Sequence, residues 1–99
     1  MDLRESLIRM LKQLLTDMQV LQQQGAGYYS CIPMLRRYNK LLAQARGLFS
    51  GNESLMGTFD DLAEEDPKDP GDKMKVTQGI RIEIGQLISL LESTQEETK

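Results

Sequence analysis

The fold of this chain is decided by its first long stretch, residues 2–24, DLRESLIRMLKQLLTDMQVLQQQ. Apolar residues recur in it at alternating steps of four and three, at Leu7, Leu11, Leu14, Met18 and Leu21. This spacing lines side chains along one face of an α-helix, in a seam two heptads long. Further apolar residues widen the face, which is typical of a helix with neighbours on more than one side. We therefore predict a helix over residues 2–24, ended by the glycines at 25 and 27.

Two more segments show helical spacing further along the chain. Residues 31–49 have apolar positions at steps of three and four, and Pro33 falls in the first turn, where its missing N–H costs nothing. After residues 50–52, Asn52 is suited to cap a short helix over residues 53–63. The sequence thus predicts a second long helix followed by a short one.

The last predicted helix spans residues 70–93, and Asp69 and Pro70 are suited to its first turn. Residues 80–84, Ile-Arg-Ile-Glu-Ile, also alternate as an exposed strand would. No second segment offers a pairing partner, and a lone strand is unstable in water, so a helix is favoured. In a helix, Gly79 and Gly85 would permit a neighbouring backbone to approach closely.

Together these segments predict one all-α domain over residues 1–99, with a polar tail at 94–99. The expected architecture is an up-and-down helical bundle of three long helices plus one short helix. A domain of this length buries only a modest core, so a partner surface would add useful burial.

The composition excludes several functions. The 99 residues contain no His, which rules out His-activated nucleophiles, His-containing metal sites and an imidazole pH switch. The single cysteine, Cys31, forms no intrachain disulfide, and we expect it to be a small buried hydrophobe. No apolar run approaches a membrane span, and the first residues lack the features of a signal peptide. We expect a cytoplasmic chain without a membrane partner.

No motif supplies the missing chemistry. From Asp66, an EF-hand-like loop would place Gly71 correctly, but Lys68, Pro70 and Thr77 stand where oxygen ligands are required. The glycines at 25 and 27 lack the strand and the Lys-Ser/Thr of a phosphate loop. We therefore expect no metal, no cofactor and no catalytic residue, and hence no enzyme.

Net charge divides unevenly along the chain. Residues 1–49 hold seven basic and three acidic side chains, a net +4, whereas residues 50–99 hold five basic and twelve acidic ones, a net −7. Such halves can attract each other within one chain or between two copies, and a solvated acidic loop would explain much of the difference.

The function that this pattern favours is a non-enzymatic protein-interaction or oligomerisation module, with a homodimer or another protein as partner. The expected interface lies on the apolar faces of the first two helices. Its residues would be Leu7, Leu11, Leu14, Met18, Leu21, Leu35, Tyr38 and Leu42.

The alternative is binding of nucleic acid or another anionic ligand by the second helix. Arg36, Arg37 and Lys40 lie within about one helical turn, and Tyr28 and Tyr29 lie nearby in the sequence. The sequence pI of about 4.9 weighs against nucleic acid, because phosphate binding depends on positive charge.

Overall fold

The computed structural model describes residues 3–24, 31–49, 54, 57 and 59–97. Its three helices are α1 (Leu3–Gln23), α2 (Ile32–Leu48) and α3 (Pro70–Glu97). No strand occurs in these described residues, so the predicted all-α class is confirmed for them. The chain is elongated, with principal extents of 45 × 22 × 17 Å.

The helix boundaries follow the sequence pattern closely at the start of each helix. α1 and α2 begin and end within about one residue of the predicted positions. In α3, residues 80–84 are helical, so the alternation that resembled a strand does not form one. The backbone continues as helix to Glu97, four residues beyond the predicted end, because Gln and Glu are good helix formers even without an apolar face.

The predicted short helix over residues 53–63 is wrong where the structure describes it continuously, since residues 59–63 are not helical. Most of the remainder of that segment lies outside the described residues. Residues 59–66, called the strap below, run along α2 without helical or strand hydrogen bonding. Phe59 and Leu62 pack against the core from the strap. The apolar residues that suggested a helix face thus reach the core from a different backbone conformation.

The contacts of the strap show the relative directions of the helices. Asp61 is bonded to Arg46 near the end of α2, and Asp66 accepts from the backbone N–H of Cys31 at its start. The strap is therefore antiparallel to α2, and α3 begins beside the beginning of α2. α1 is antiparallel to α3, because Lys12 pairs with Glu92 whereas Gln22, further along α1, accepts from Arg81, which lies earlier in α3.

The core lies along α1, which packs against both other helices, while α2 and α3 contact each other less. Fully buried side chains come from all three helices, for example Leu11, Tyr38 and Leu87. The wide apolar stripe of α1 accounts for its central position, because one face must cover two neighbours. The core is therefore assembled within a single chain.

The start of α3 is built as the sequence predicts. The backbone N–H of Asp72 donates to Oδ2 of Asp69 at 3.1 Å, and Pro70 occupies the first helical position. This cap satisfies an N–H group that has no partner in the first turn of a helix. Asp69 therefore fixes the point at which the strap region becomes α3.

Candidate interaction surfaces

The residues expected to form an interface lie in the core of one chain. Seven of the eight have at most 7% of their surface exposed, and Leu21 is half-buried against the same core. The seven are Leu7, Leu11, Leu14, Met18, Leu35, Tyr38 and Leu42. Exposing the seven buried residues to a second copy would forfeit their burial. Leu14 and Leu21 also line an open groove between α1 and α2. Their heptad spacing reflects helix packing inside the chain.

The basic residues of α2 are engaged by the strap. Arg36 Nε donates to Glu64 Oε1 at 2.8 Å. Arg46 donates to Asp61 Oδ1 and, through its other terminal nitrogen, to the carbonyl oxygen of Phe59, both at 2.8 Å. The uneven charge of the two halves of the sequence is therefore partly compensated within a single chain.

The three residues expected to bind an anion do not share one environment. Arg36 is paired with Glu64, whereas Arg37 and Lys40 are exposed on α2. Arg37 lies at the edge of a groove between α1 and α2 that also contains Asp17. Tyr28 and Tyr29 lie outside the described residues. The structure therefore brings no set of convergent cations together at these positions.

The groove between α1 and α2 is an open cleft of about 550 Å³. Its apolar lining consists of Met10, Leu14, Leu21, Pro33 and Met34. Methionines adapt to differently shaped apolar partners, and grooves of this kind accept amphipathic helices.

The outer face of α3 is unusual for a solvent-facing helix surface. Between Val76 and Leu91 its exposed positions carry no charge; they are Gln78, Gly79, Ile82, Gly85, Gln86 and Ser89. Ile82 is the most exposed large apolar residue there, at 64%. Surface helices normally place charged side chains on this side. An uncharged face with an exposed isoleucine is instead suited to contact with another protein.

The two glycines of this face have no packing role within the described residues. A Cβ atom at Gly79 or Gly85 would have no neighbour within 4 Å. Glycine in a helix interior costs roughly 0.5–1 kcal/mol relative to alanine. The close backbone neighbour that these glycines suggest is thus not provided by the described part of this chain.

Cys31 is buried, as predicted, with 1% of its surface exposed. Burial raises the pKa of its thiol above the ordinary 9.0, and the nearby charge of Lys73 offsets this only in part. The sulfur contacts the Lys73 carbonyl oxygen at 3.9 Å. At neutral pH the group is a protonated thiol, which is a poor nucleophile and a poor metal ligand.

Other chemistries find no support in the described residues. No group of three or more cysteine, aspartate or glutamate side chains among them is arranged to hold a metal ion. No helix within the described ranges has the length and apolar character needed to cross a membrane.

The outer face of α3 was not predicted from the sequence as a contact surface. The sequence contained one signal there, because Gly79 and Gly85 interrupt an otherwise regular helix. The burial pattern shows that Ile80, Ile84 and Leu87 face the core, which leaves Ile82 and Gly85 on the outer side.

Comparisons with protein-family models, with curated proteins and with solved structures find no significant match to this chain.

Proposed function

We propose that this chain is a non-enzymatic helical interaction module that associates with further copies of itself. The observation that carries the proposal is the uncharged outer face of α3, with Ile82 exposed at its centre. A like-charged surface would repel its own copy across a two-fold axis, whereas an uncharged one does not. Self-association also adds apolar burial to a domain whose own core is modest.

Binding of nucleic acid by α2 is the weaker candidate. Arg36 and Arg46 already bind acidic side chains of the strap, which lowers their availability to phosphate. No described contact favours an anionic ligand over these carboxylates.

Sedimentation equilibrium of the intact chain tests the proposal. We expect the average mass to rise from the monomer value of 11.3 kDa toward twice that value as the concentration increases through the micromolar range. The interface is expected to be weak, because each copy contributes only one large apolar side chain to it. A constant monomer mass at high micromolar concentration would contradict the proposed function.

A further inference from the structure

A heptad pattern runs along the outer face of α3. Exposed residues at steps of three and four define what we call the outer seam: Lys75, Gln78, Ile82, Gly85, Ser89 and Glu92. The seam spans about 26 Å at a rise of 1.5 Å per residue. Residues at these steps form one continuous line along the helix, and a second helix could pack along that line.

The seam is symmetric about its midpoint in a way that defines a partner. Ile82 and Gly85 lie equally far from the midpoint, and so do Lys75 and Glu92 at the two ends. A second copy running antiparallel would place Ile82 opposite Gly85 and Lys75 opposite Glu92. One register therefore satisfies both shape and charge.

The charges at the two ends of the seam favour the antiparallel orientation over the parallel one. A parallel pair in register would bring Lys75 against a second Lys75, and Glu92 against a second Glu92. In the antiparallel pair both ends become opposite-charge contacts. Lys75 has no ion pair among the described residues, and Glu92 makes only an exposed contact with Lys12 at 3.4 Å. Such an exposed pair contributes little and leaves Glu92 able to bind a second cation.

At the centre of the seam, Ile82 and Gly85 have complementary shapes. Ile82 projects from a helix whose neighbouring position Gly85 is open, since nothing lies within 4 Å of its Cβ direction. A glycine opposite an isoleucine lets the two backbones approach until the isoleucine fills the gap. The next pair outward, Gln78 with Ser89, is uncharged and able to form a hydrogen bond.

The charged residues beside the seam are turned toward the rest of their own chain. Arg81 donates to Oε1 of Gln22 on α1 at 3.2 Å. On the other side, Glu83 lines a small cavity with Leu62 of the strap. Both are half-buried, and Arg81 also lines an open cleft with Gln78 and Ile82, so its cation lies at the edge of the seam.

From these observations we infer that two copies of this chain pair through the outer seams of α3, antiparallel, with Ile82 of each copy against Gly85 of the other. The inference rests on the proposed self-association and adds its orientation and register.

Disulfide trapping tests the register. Gln78→Cys and Ser89→Cys are prepared as separate single variants and mixed in a glutathione redox buffer. In the antiparallel register residue 78 of one copy faces residue 89 of the other, so the mixed disulfide should exceed its statistical share. Two copies of residue 78 would be about 16 Å apart along the axis, too far for a disulfide. The buried native Cys31 is retained in every variant. Gln44→Cys, at an exposed position of α2, measures the cross-linking that random collision produces.

Each result decides the inference. Predominant 78–78 and 89–89 disulfides would mean a parallel pair, and cross-linking no greater than in Gln44→Cys would mean a different surface; either overturns it. If sedimentation shows a dimer in such a case, the proposed function stands while the seam fails.

Two substitutions test the centre of the seam independently. Ile82→Glu alters an exposed position, so folding should be retained while the dimer dissociation constant rises about tenfold or more. Gly85→Ala should raise the unfolding midpoint of the monomer and yet weaken the dimer, because the added methyl group fills the gap for Ile82. Gly47→Ala, at an equally open glycine of α2, is the matched control and should raise stability without affecting association. Unchanged association in both seam variants would overturn the inference.

Discussion

The side chain of Asn39 pairs with both backbone groups of Leu62. Its Nδ2 donates to the Leu62 carbonyl oxygen at 2.7 Å, and its Oδ1 accepts from the Leu62 N–H at 2.9 Å. A backbone strand would satisfy a neighbour in the same way. One helix side chain thus substitutes for a β partner and attaches the strap to α2 at its middle.

Replacing Asn39 with alanine should therefore destabilise the fold. Two hydrogen bonds are lost together, and both Leu62 backbone groups are left in a partly buried position, for a cost of about 2 kcal/mol. Urea unfolding followed by circular dichroism measures the change. Gln44→Ala, at an exposed position of the same helix, should change stability by less than about 0.5 kcal/mol. Equal effects of the two substitutions would contradict the role assigned to Asn39.

Arg46 binds the strap near the C-terminal end of α2. Because it binds both the Phe59 carbonyl oxygen and the Asp61 carboxylate, Arg46→Ala should cost about 1–2 kcal/mol. Most of that loss should come from the half-buried carbonyl contact, so Asp61→Asn should cost less than about 0.5 kcal/mol. Thermal unfolding of both variants measures the difference.

Arg37→Ala is the control for this prediction, since it removes an exposed cation from the same helix. A loss for Arg37→Ala as large as that for Arg46→Ala would show a general charge effect of α2 on the acidic strap.

Whether a segment's conformation could be predicted from the sequence depends on where its backbone obtains its hydrogen bonds. The three helices were predictable because a helix satisfies the hydrogen bonds of its own backbone. Apolar spacing is therefore enough to predict each helix, and for α3 the Asp69 cap also marks its first residue. The strap was not predictable, because its conformation depends on Asn39 and Arg46, which are 23 and 13 residues away from the groups they bind. Apolar residues in a short segment do not reveal that a distant side chain will hold its backbone.

The burial of the candidate interface residues could not be read from the sequence for a related reason. The heptad pattern around Leu11 predicts that a helix packs there, but it does not distinguish a helix of the same chain from one of a second copy. The residues of the most apolar helix faces are buried in the core of the chain itself. The weaker pattern around Ile82 is informative only after the core has been assigned.

The hydroxyl group of Tyr38 is buried in the core without a hydrogen bond to the described residues. Its ring is fully buried, and its hydroxyl makes no hydrogen bond with any described residue. Tyr38→Phe should therefore be neutral or should stabilise the fold by up to about 1 kcal/mol, because an unpaired buried hydroxyl is unfavourable. Urea unfolding at pH 7 measures this, with Leu42→Ala as the contrast that should cost about 2–5 kcal/mol. A clear loss of stability in Tyr38→Phe would mean that the hydroxyl has a partner.

The same hydroxyl should make the fold sensitive to strong alkali. Burial, reinforced by the negative charge of Glu83, raises the pKa of Tyr38 well above its ordinary 10.0. The unfolded chain then loses this proton near pH 10 while the folded chain keeps it, so stability is full below pH 10 and falls above it. The difference in unfolding free energy between the wild type and Tyr38→Phe should change with pH only above that value. A difference that stays constant across pH 10 would contradict a buried neutral phenol.

Cys31 should produce a separate loss of stability one pH unit lower. Burial raises the pKa of its thiol above 9.0, and Lys73 and Thr77 oppose this less strongly. Since the folded pKa is the higher one, the contribution is complete below pH 9 and is lost as the pH rises through the folded value. The wild type should therefore lose more stability between pH 8 and pH 9.5 than Cys31→Ala does, whatever their difference at pH 7. Unfolding in urea at these pH values measures both chains, and parallel losses would show that the thiol is ionised as easily in the folded chain as in the unfolded one.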